Sequence, residues 1–323
     1  MTPSVTARAF WAIGPGRGAL REEILPEPGA GALRVRMTAS GVSRGTERLV
    51  LEGRVPPSEH ARMRCPFQAG DFPFPVKYGY CAVGVVETGP RAGTRVFALH
   101  PHQDRFVVPD EAATAIPDDV PDARATLAAN METALNALWD AEPARDARVA
   151  VIGAGVVGLL VASLARAAVA APVLVIDPDP QRRALAAALG LAAAEAAPPG
   201  HECDLIFHAS GHPEGLVAAL ELAAFEGRIL ELSWFGDQPV ALPLGGAFHA
   251  RRLSLIASQV GHVARPRRAS TSYAARRAAA LAQLADPRFD ALLGERLAFD
   301  DLPALLPARL AAAPMPPHLV VTY

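Results

Sequence analysis

From residue 149 onwards the chain alternates short β-branched runs with longer Ala/Leu-rich stretches. Val149-Ala-Val-Ile152 has no polar position, as in a parallel strand buried on both faces. Gly153, Gly155 and Gly158 follow in the order G-x-G-x-x-G, and 156–170 reads as an Ala/Leu-rich helix. A second apolar run over 172–176 ends in Asp177. The same rhythm predicts helices over 180–189 and 213–224 and strands over 204–208, 227–232 and 253–257. Strands alternating with helices imply a doubly wound parallel sheet. Gly190 to Glu195, followed by Pro198-Pro-Gly200, reads as a loop.

Residues 1 to about 117 read as β-rich, with Ala32–Met37 alternating like a strand with one wet face. Strands are predicted over 32–37, 80–87, 94–99 and 106–109, with Thr88-Gly-Pro90 and Arg91-Ala-Gly93 as turns. The proline-rich stretch Val55–Pro75 has little periodicity and reads as a loop over a cleft. Ala123–Ala141 reads as one helix, and Pro143–Asp146 as a linker. Ser270–Ala285 and Leu302–Ala311 are further helices, and His318–Tyr323 a closing strand.

The glycines carry the first chemistry. Gly153 permits a tight turn, Gly155 lets the backbone approach a pyrophosphate, and Gly158 lets helix and strand pack closely. The helix N-terminus then offers free N–H groups, with Val156 and Val157 flanking the phosphates. Asp177, about 20 residues beyond the glycines, can accept from both hydroxyls of an adenosine ribose. Its charge favours NAD over NADP; Arg182 and Arg183 just downstream could instead meet a 2′-phosphate or form a solvated helix face.

Composition narrows the class. With 323 residues the chain suits two domains, and a net charge of −2 offers nothing to nucleic acid or an anionic membrane. No signal peptide or membrane span is expected, because the apolar run after Leu159 contains Arg166. Three scattered cysteines cannot make a disulfide framework, and a cytoplasmic enzyme is the expectation. Lys77 is the only lysine, which with the abundant alanine reflects GC-rich coding.

A β-rich N-terminal part, an inserted nucleotide fold, then helix and closing strand resemble the medium-chain dehydrogenase/reductase superfamily. Gly79-Tyr-Cys-Ala-Val-Gly84 stands where that family has G-H-E-x-x-G. Gly227–Gly236 is similar to its strand before the nicotinamide, and Ala298-Phe-Asp-Asp-Leu-Pro303 to its late F-x-D-x-x-A element. Ser40-Gly-Val-Ser-Arg-Gly-Thr-Glu47 looks like a segment of the bacteriochlorophyllide dehydrogenase-like members. The resemblance implies an α/β protein: a GroES-like β-rich catalytic domain over 1–120 and 262–323, and a Rossmann NAD-binding domain over 121–261. It also implies a homodimer through the edge strand around Leu253–Ser258.

The departures concern metal. Zinc-dependent members have Cys at the position of Ser43, His at Tyr80 and Glu at Cys81, with a third ligand near Ala129–Asn130. Serine and tyrosine are poor zinc ligands, and three cysteines cannot build the four-cysteine structural lobe. Neither a catalytic nor a structural zinc is therefore expected. Cys81 with His100, His102 or Glu132 could form an improvised site; a small buried strand residue is the simpler reading of Cys81.

Without metal, a developing alkoxide needs hydrogen bonds and its proton needs side chains. Family position implies that Ser43, Thr46, Tyr80, His102, Glu132 and Thr133 lie near the nicotinamide. Tyr80 is the first candidate for polarising a substrate oxygen, against packing as an aromatic. Ser43 and Thr46 could relay a proton or only cap a loop and a helix. Glu47 suits a salt bridge or cap better than a base. His102 could act as general base or be a solvated loop residue. A buried Glu132 could exchange protons or be a satisfied structural carboxylate. Arg44 matches a position that can touch the pyrophosphate, and Lys77 suits the surface.

The family further implies Ser210 and Gly211 on the adenosine-ribose side. Leu232, Ser233 and Trp234 should border the nicotinamide, and Ser258 and Gln259 its carboxamide. The expected function is a zinc-independent NAD(P)-dependent oxidoreductase of a small alcohol/carbonyl substrate. Enone or quinone reduction, or NAD binding without turnover, are the alternatives.

Overall fold

A computed structural model describes residues 4–312 and 318–323. In chain order the first elements are β1 (Thr6–Gly14), β2 (Arg17–Ile24), β3 (Ala32–Val42), α1 (Arg44–Glu52), β4 (Ala69–Gly70), β5 (Val76–Lys77), β6 (Ala82–Val86), β7 (Arg95–Ala98), β8 (Arg105–Pro109), β9 (Thr114–Ala115) and α2 (Asp122–Ala125). Then come α3 (Ala128–Ala141), β10 (Val149–Ile152), α4 (Val156–Ala168), β11 (Leu174–Ile176), α5 (Pro180–Ala188), β12 (Ala192–Ala194), β13 (Cys203–His208), α6 (Pro213–Leu222), β14 (Ala223–Glu231) and β15 (Ser254–Ala257). The last are α7 (Tyr273–Gln283), β16 (Leu293–Ala298), α8 (Leu302–Ala311) and β17 (His318–Thr322).

The chain divides into two compact units. The first comprises Met1–Ala129, Arg277–Pro287 and Leu293–Tyr323; the second comprises Asn130–Arg276 and Arg288–Leu292. The first unit has a four-stranded sheet, β2-β1-β5-β4, and a seven-stranded sheet in which β16-β17-β3-β6-β7-β9 run side by side and β8 pairs with β3. Alternation along β3 turns Leu33, Val35 and Met37 into a core with Ala82, Val96, Phe106 and Val108.

The second unit is one six-stranded sheet ordered β12-β11-β10-β13-β14-β15, with every neighbouring pair parallel. β10 lies inside it and all four of its residues are buried, as its uninterrupted apolar run requires. Helix α4 buries Leu159, Leu160, Val161 and Leu164. Such an order reverses direction of build-up between β10 and β13, which puts a crevice at the carboxyl ends of those strands.

Several local expectations are corrected. Gly190–Glu195 is not all loop: Ala192–Ala194 pairs in parallel with Leu174–Ile176. Three alanines carry little periodic signal, so only the neighbouring strand identifies them as β. The single helix expected over 123–141 is broken between α2 and α3, where Thr126 turns its hydroxyl back to the Ala123 carbonyl at 2.6 Å. Strand β14 starts at Ala223, four residues before its expected start, and contains Glu226 in the left-handed region (φ 58°). Lys77 is buried, with Nζ donating to Glu23 at 2.7 Å and to Gln103 at 2.9 Å.

Candidate active site

The crevice end of the second unit is built around three glycines, two of which no larger residue could replace. Gly153 has φ 104°, and a Cβ on it would stand 2.6 Å from the Ser210 backbone. A Cβ on Gly158 would lie 1.9 Å from the Gly153 carbonyl oxygen, so the third glycine is what lets α4 sit against the loop. Nothing lies within 4 Å of the corresponding position on Gly155, which caps α4 with no side-chain hydrogen bond. The first-turn amides, including those of the half-buried Val156 and Val157, therefore have no side-chain acceptor from the cap. An anion meets partial positive charge and open backbone there.

Asp177 closes β11 and is 4% exposed. Its Oδ2 accepts from Ala154 N at 2.8 Å and its Oδ1 from Asp179 N at 2.9 Å. The carboxylate thus ties the glycine loop to the next strand, and each oxygen keeps a lone pair for a further donor. Arg182 stands 3.6 Å from Asp177 and 3.7 Å from Asp179. Arg183 instead donates to the carbonyls of Asp177 and Pro178, both at 2.8 Å.

Ser210 and Gly211 follow β13, which lies across β10 from β11. Ser210 abuts Gly153 of the glycine loop, across β10 from Asp177. Leu232 N donates to the His208 carbonyl at 2.9 Å, and the Ser233 hydroxyl accepts from Gly211 N at 3.1 Å. Leu232, Ser233 and Trp234 are all half-buried. Ser258 is fixed by its N–H to the Glu231 carbonyl and by its hydroxyl, which donates to Asp140 at 2.7 Å. Gln259 Oε1 accepts from Gly261 N at 2.7 Å.

On α3, Glu132 is buried and accepts from Arg276 Nε at 3.0 Å. The same guanidinium donates to Asn136 Oδ1 and to the Val260 and His262 carbonyls. A charge held this way is part of the packing of the unit, and proton exchange through Glu132 would have to break the pair. Thr133, next to it, is half-buried.

In the first unit Tyr80 keeps part of its surface exposed. Burial, with Cys81 and Glu47 nearby, pushes its pKa well above the ordinary phenol value, while hydrogen bonds with Ser43 and Thr46 pull the other way. The three hydroxyls form one half-buried polar group. Behind it, Glu47 Oε1 accepts from Ser43 N at 2.7 Å, which closes the first turn of α1, and Oε2 lies 2.9 Å from His102 Nε2. A carboxylate only accepts, so Nε2 carries the hydrogen and Nδ1 accepts from the Ser40 hydroxyl at 2.7 Å. Ser40 in turn accepts from the Tyr323 hydroxyl at 2.9 Å.

His102 is therefore no loop residue facing solvent: it is 1% exposed and both ring nitrogens are engaged. His100 is buried and stacked on Phe106 at 4.0 Å, and burial pushes its pKa down to about 3. Arg44 donates to the Ala312 carbonyl at 2.9 Å. Glu47 was expected in a salt bridge or cap, but its partner His102 was not anticipated, nor was the His208–Glu231 pair; each joins residues distant in sequence.

The residues at the family's zinc positions do not suit zinc. Ser43 and Tyr80 offer neutral hydroxyls, and among the described residues no group of three or more His, Cys, Asp or Glu could hold a metal.

No family profile matches the chain. It is 30% identical over 149 residues to L-threonine 3-dehydrogenase of Bacillus subtilis (strain 168), an alignment spanning 42% of each chain and so less than half of that relative. Over 260 residues, 73% of this chain and 76% of the relative, it is 29% identical to 2-desacetyl-2-hydroxyethyl bacteriochlorophyllide A dehydrogenase of Cereibacter sphaeroides. The chain is thus similar in sequence to dehydrogenases, among them a bacteriochlorophyllide dehydrogenase over about three quarters of each chain. Its fold follows that of a short chain alcohol dehydrogenase from E. coli CFT073 complexed with NADH: TM-score 0.78 at 19% identity, over 98% of this chain and 99% of the other. The fold class is accordingly α/β, with GroES-like and Rossmann parts.

Proposed function

We propose that this protein is a member of the medium-chain dehydrogenase/reductase superfamily, and a zinc-independent, NAD-dependent oxidoreductase of a small molecule carrying an alcohol or carbonyl. The observation that carries the reading is the hydroxyl group of three, in which Tyr80 and Ser43 stand at positions where zinc-dependent members have ligand residues and Thr46 lies beside them. The loop of Gly153, Gly155 and Gly158 would hold a nicotinamide nucleotide, which would supply or take up the hydride. Tyr80, held neutral by its raised pKa, donates to a carbonyl oxygen or accepts from an alcohol. In alcohol oxidation Tyr80 takes the alcohol proton as its own passes through Ser43 and Thr46 to solvent, and carbonyl reduction runs the same chain in reverse. Glu47 fixes the Ser43 backbone. NAD is favoured because the buried Asp177 carboxylate would repel a 2′-phosphate.

A cytoplasmic homodimer belongs to the same reading. Its support is the three free cysteines, which suit a reducing compartment, and β15, an edge strand that exposes Leu255. The test is turnover by the purified protein, with metal content measured alongside. Alcohol-dependent NADH formation by metal-free protein is expected. Loss of NADH only with alkenals or quinones would select conjugate reduction instead. NADH binding with no turnover on any of these would overturn the enzymatic reading, and activity proportional to bound zinc would overturn its metal independence.

A further inference from the structure

At the ends of β13 and β14 stands a three-residue relay that the reading above does not use. His208 is fully buried; its Nδ1 lies 2.6 Å from Glu231 Oε2 and its Nε2 2.6 Å from the Ser210 hydroxyl. Glu231 Oε1 is occupied by the Ser233 N–H at 2.6 Å. The space is tight: a Cβ on Gly215 of α6 would stand 2.5 Å from Ser210 Oγ and 2.8 Å from His208 Nε2. Ser210 is only half-buried and abuts Gly153 of the glycine loop.

Hydrogen placement follows from the partners. Glu231 accepts only, so the neutral His208 carries its hydrogen on Nδ1 and presents Nε2 as an acceptor. The Ser210 hydroxyl then spends its hydrogen on Nε2. One of its lone pairs takes the His212 N–H at 3.1 Å. What remains is a single outward lone pair, so Ser210 can receive a hydroxyl donor and has nothing to offer an anion.

We propose that His208, oriented by Glu231, is a positioning residue that fixes Ser210 as an acceptor for a ribose hydroxyl on the nicotinamide side of the bound nucleotide. The choice of ribose comes from the sheet order: Asp177 ends β11 on one side of β10, and Ser210 follows β13 on the other. The inference rests on the nucleotide-binding reading given above and adds to it a recognised group and its polarity.

Glu231→Gln tests the polarity while keeping the shape. The Ser233 N–H cannot change, so it claims the amide oxygen, and the amide nitrogen then faces His208 Nδ1. The ring must move its hydrogen to Nε2, and Ser210 meets a donor where it had an acceptor. Affinities for NADH, ADP-ribose and ADP are measured by titration for the wild type, Glu231→Gln, Ser210→Ala and the double variant, with thermal stability followed in parallel. ADP lacks the second ribose. Each single variant is expected to weaken NADH and ADP-ribose about tenfold and to leave ADP unchanged. The double variant should bind no more weakly than Ser210→Ala, because both changes act through one hydroxyl. Equal losses for ADP, additive losses, or unchanged NADH and ADP-ribose affinity in Glu231→Gln would overturn the proposal. Failure of the wild type to bind NADH would instead overturn the nucleotide reading beneath it.

Discussion

His102 Nε2 donates to Glu47 Oε2 at 2.9 Å, joining two buried side chains from α1 and from the segment after β7. The same carboxylate holds the Ser43 N–H. Glu47→Ala removes the acceptor for both donors and leaves them buried without one. A loss of about 3–5 kcal/mol in unfolding free energy is expected, measured by urea denaturation. Glu47→Gln keeps one acceptor and should lose less; equal stability of wild type and Glu47→Ala would mean the pair contributes nothing to the fold.

Tyr80→Phe removes one oxygen from the half-buried hydroxyl group and leaves the ring contact with Tyr78, 5.9 Å between centroids, in place. NADH affinity should stay within about twofold, while kcat for alcohol oxidation falls about a hundred- to a thousandfold, as when one oxyanion donor is lost. A variant with full kcat would take the substrate oxygen away from Tyr80.

Gly155 and Gly158 separate binding from folding. A methyl group on Gly155 meets nothing within 4 Å, so Gly155→Ala should fold with wild-type thermal stability and lose NADH affinity, because the methyl occupies the approach of the phosphates. Gly158→Ala drives Cβ into the Gly153 carbonyl and should lower the melting temperature as well. Wild-type NADH affinity in Gly155→Ala would show that phosphates bind elsewhere.

Burial pushes the His318 pKa down to about 4 and that of His100 to about 3. An unfolded imidazole takes a proton near about pH 6.5, while the folded chain refuses it until far lower. Stability from these rings is thus complete above that pH and falls with acidification, down to about pH 4 for His318 and about pH 3 for His100. His318 alone accounts for a loss on the order of 3 kcal/mol across its window. Urea midpoints taken from pH 7.5 downwards should fall less steeply for His318→Gln than for the wild type. Identical slopes would mean that His318 is protonated in the folded state.

Much of the second unit was legible in the sequence because its signals are local. β10, the three glycines, α4 and Asp177 lie within one continuous stretch, and each carries its own steric or charge requirement. β12 escaped because three alanines have no period. The break between α2 and α3 escaped because it depends on the Thr126 hydroxyl. Side-chain partners were the harder part: Glu132 was legible as a buried carboxylate, but its pairing with Arg276 joins residues 144 apart in sequence. Lys77 was misplaced at the surface because nothing near it announces Glu23 and Gln103. His102 likewise looks like a loop histidine until Ser40 and Glu47 close around it.

The pairing of β3 with β17 has a bearing on biosynthesis. Leu319 opposes Val42 across that ladder, with the whole parallel sheet encoded between them. On the ribosome, β3 must wait with one hydrogen-bonding edge bare while the intervening segment is translated, whose βα repeats make mostly sequence-near contacts and can collapse early. An unclaimed edge invites pairing with another chain. Chaperone engagement and aggregation during expression should therefore concentrate on the nascent N-terminal sheet and end once Leu319 has docked.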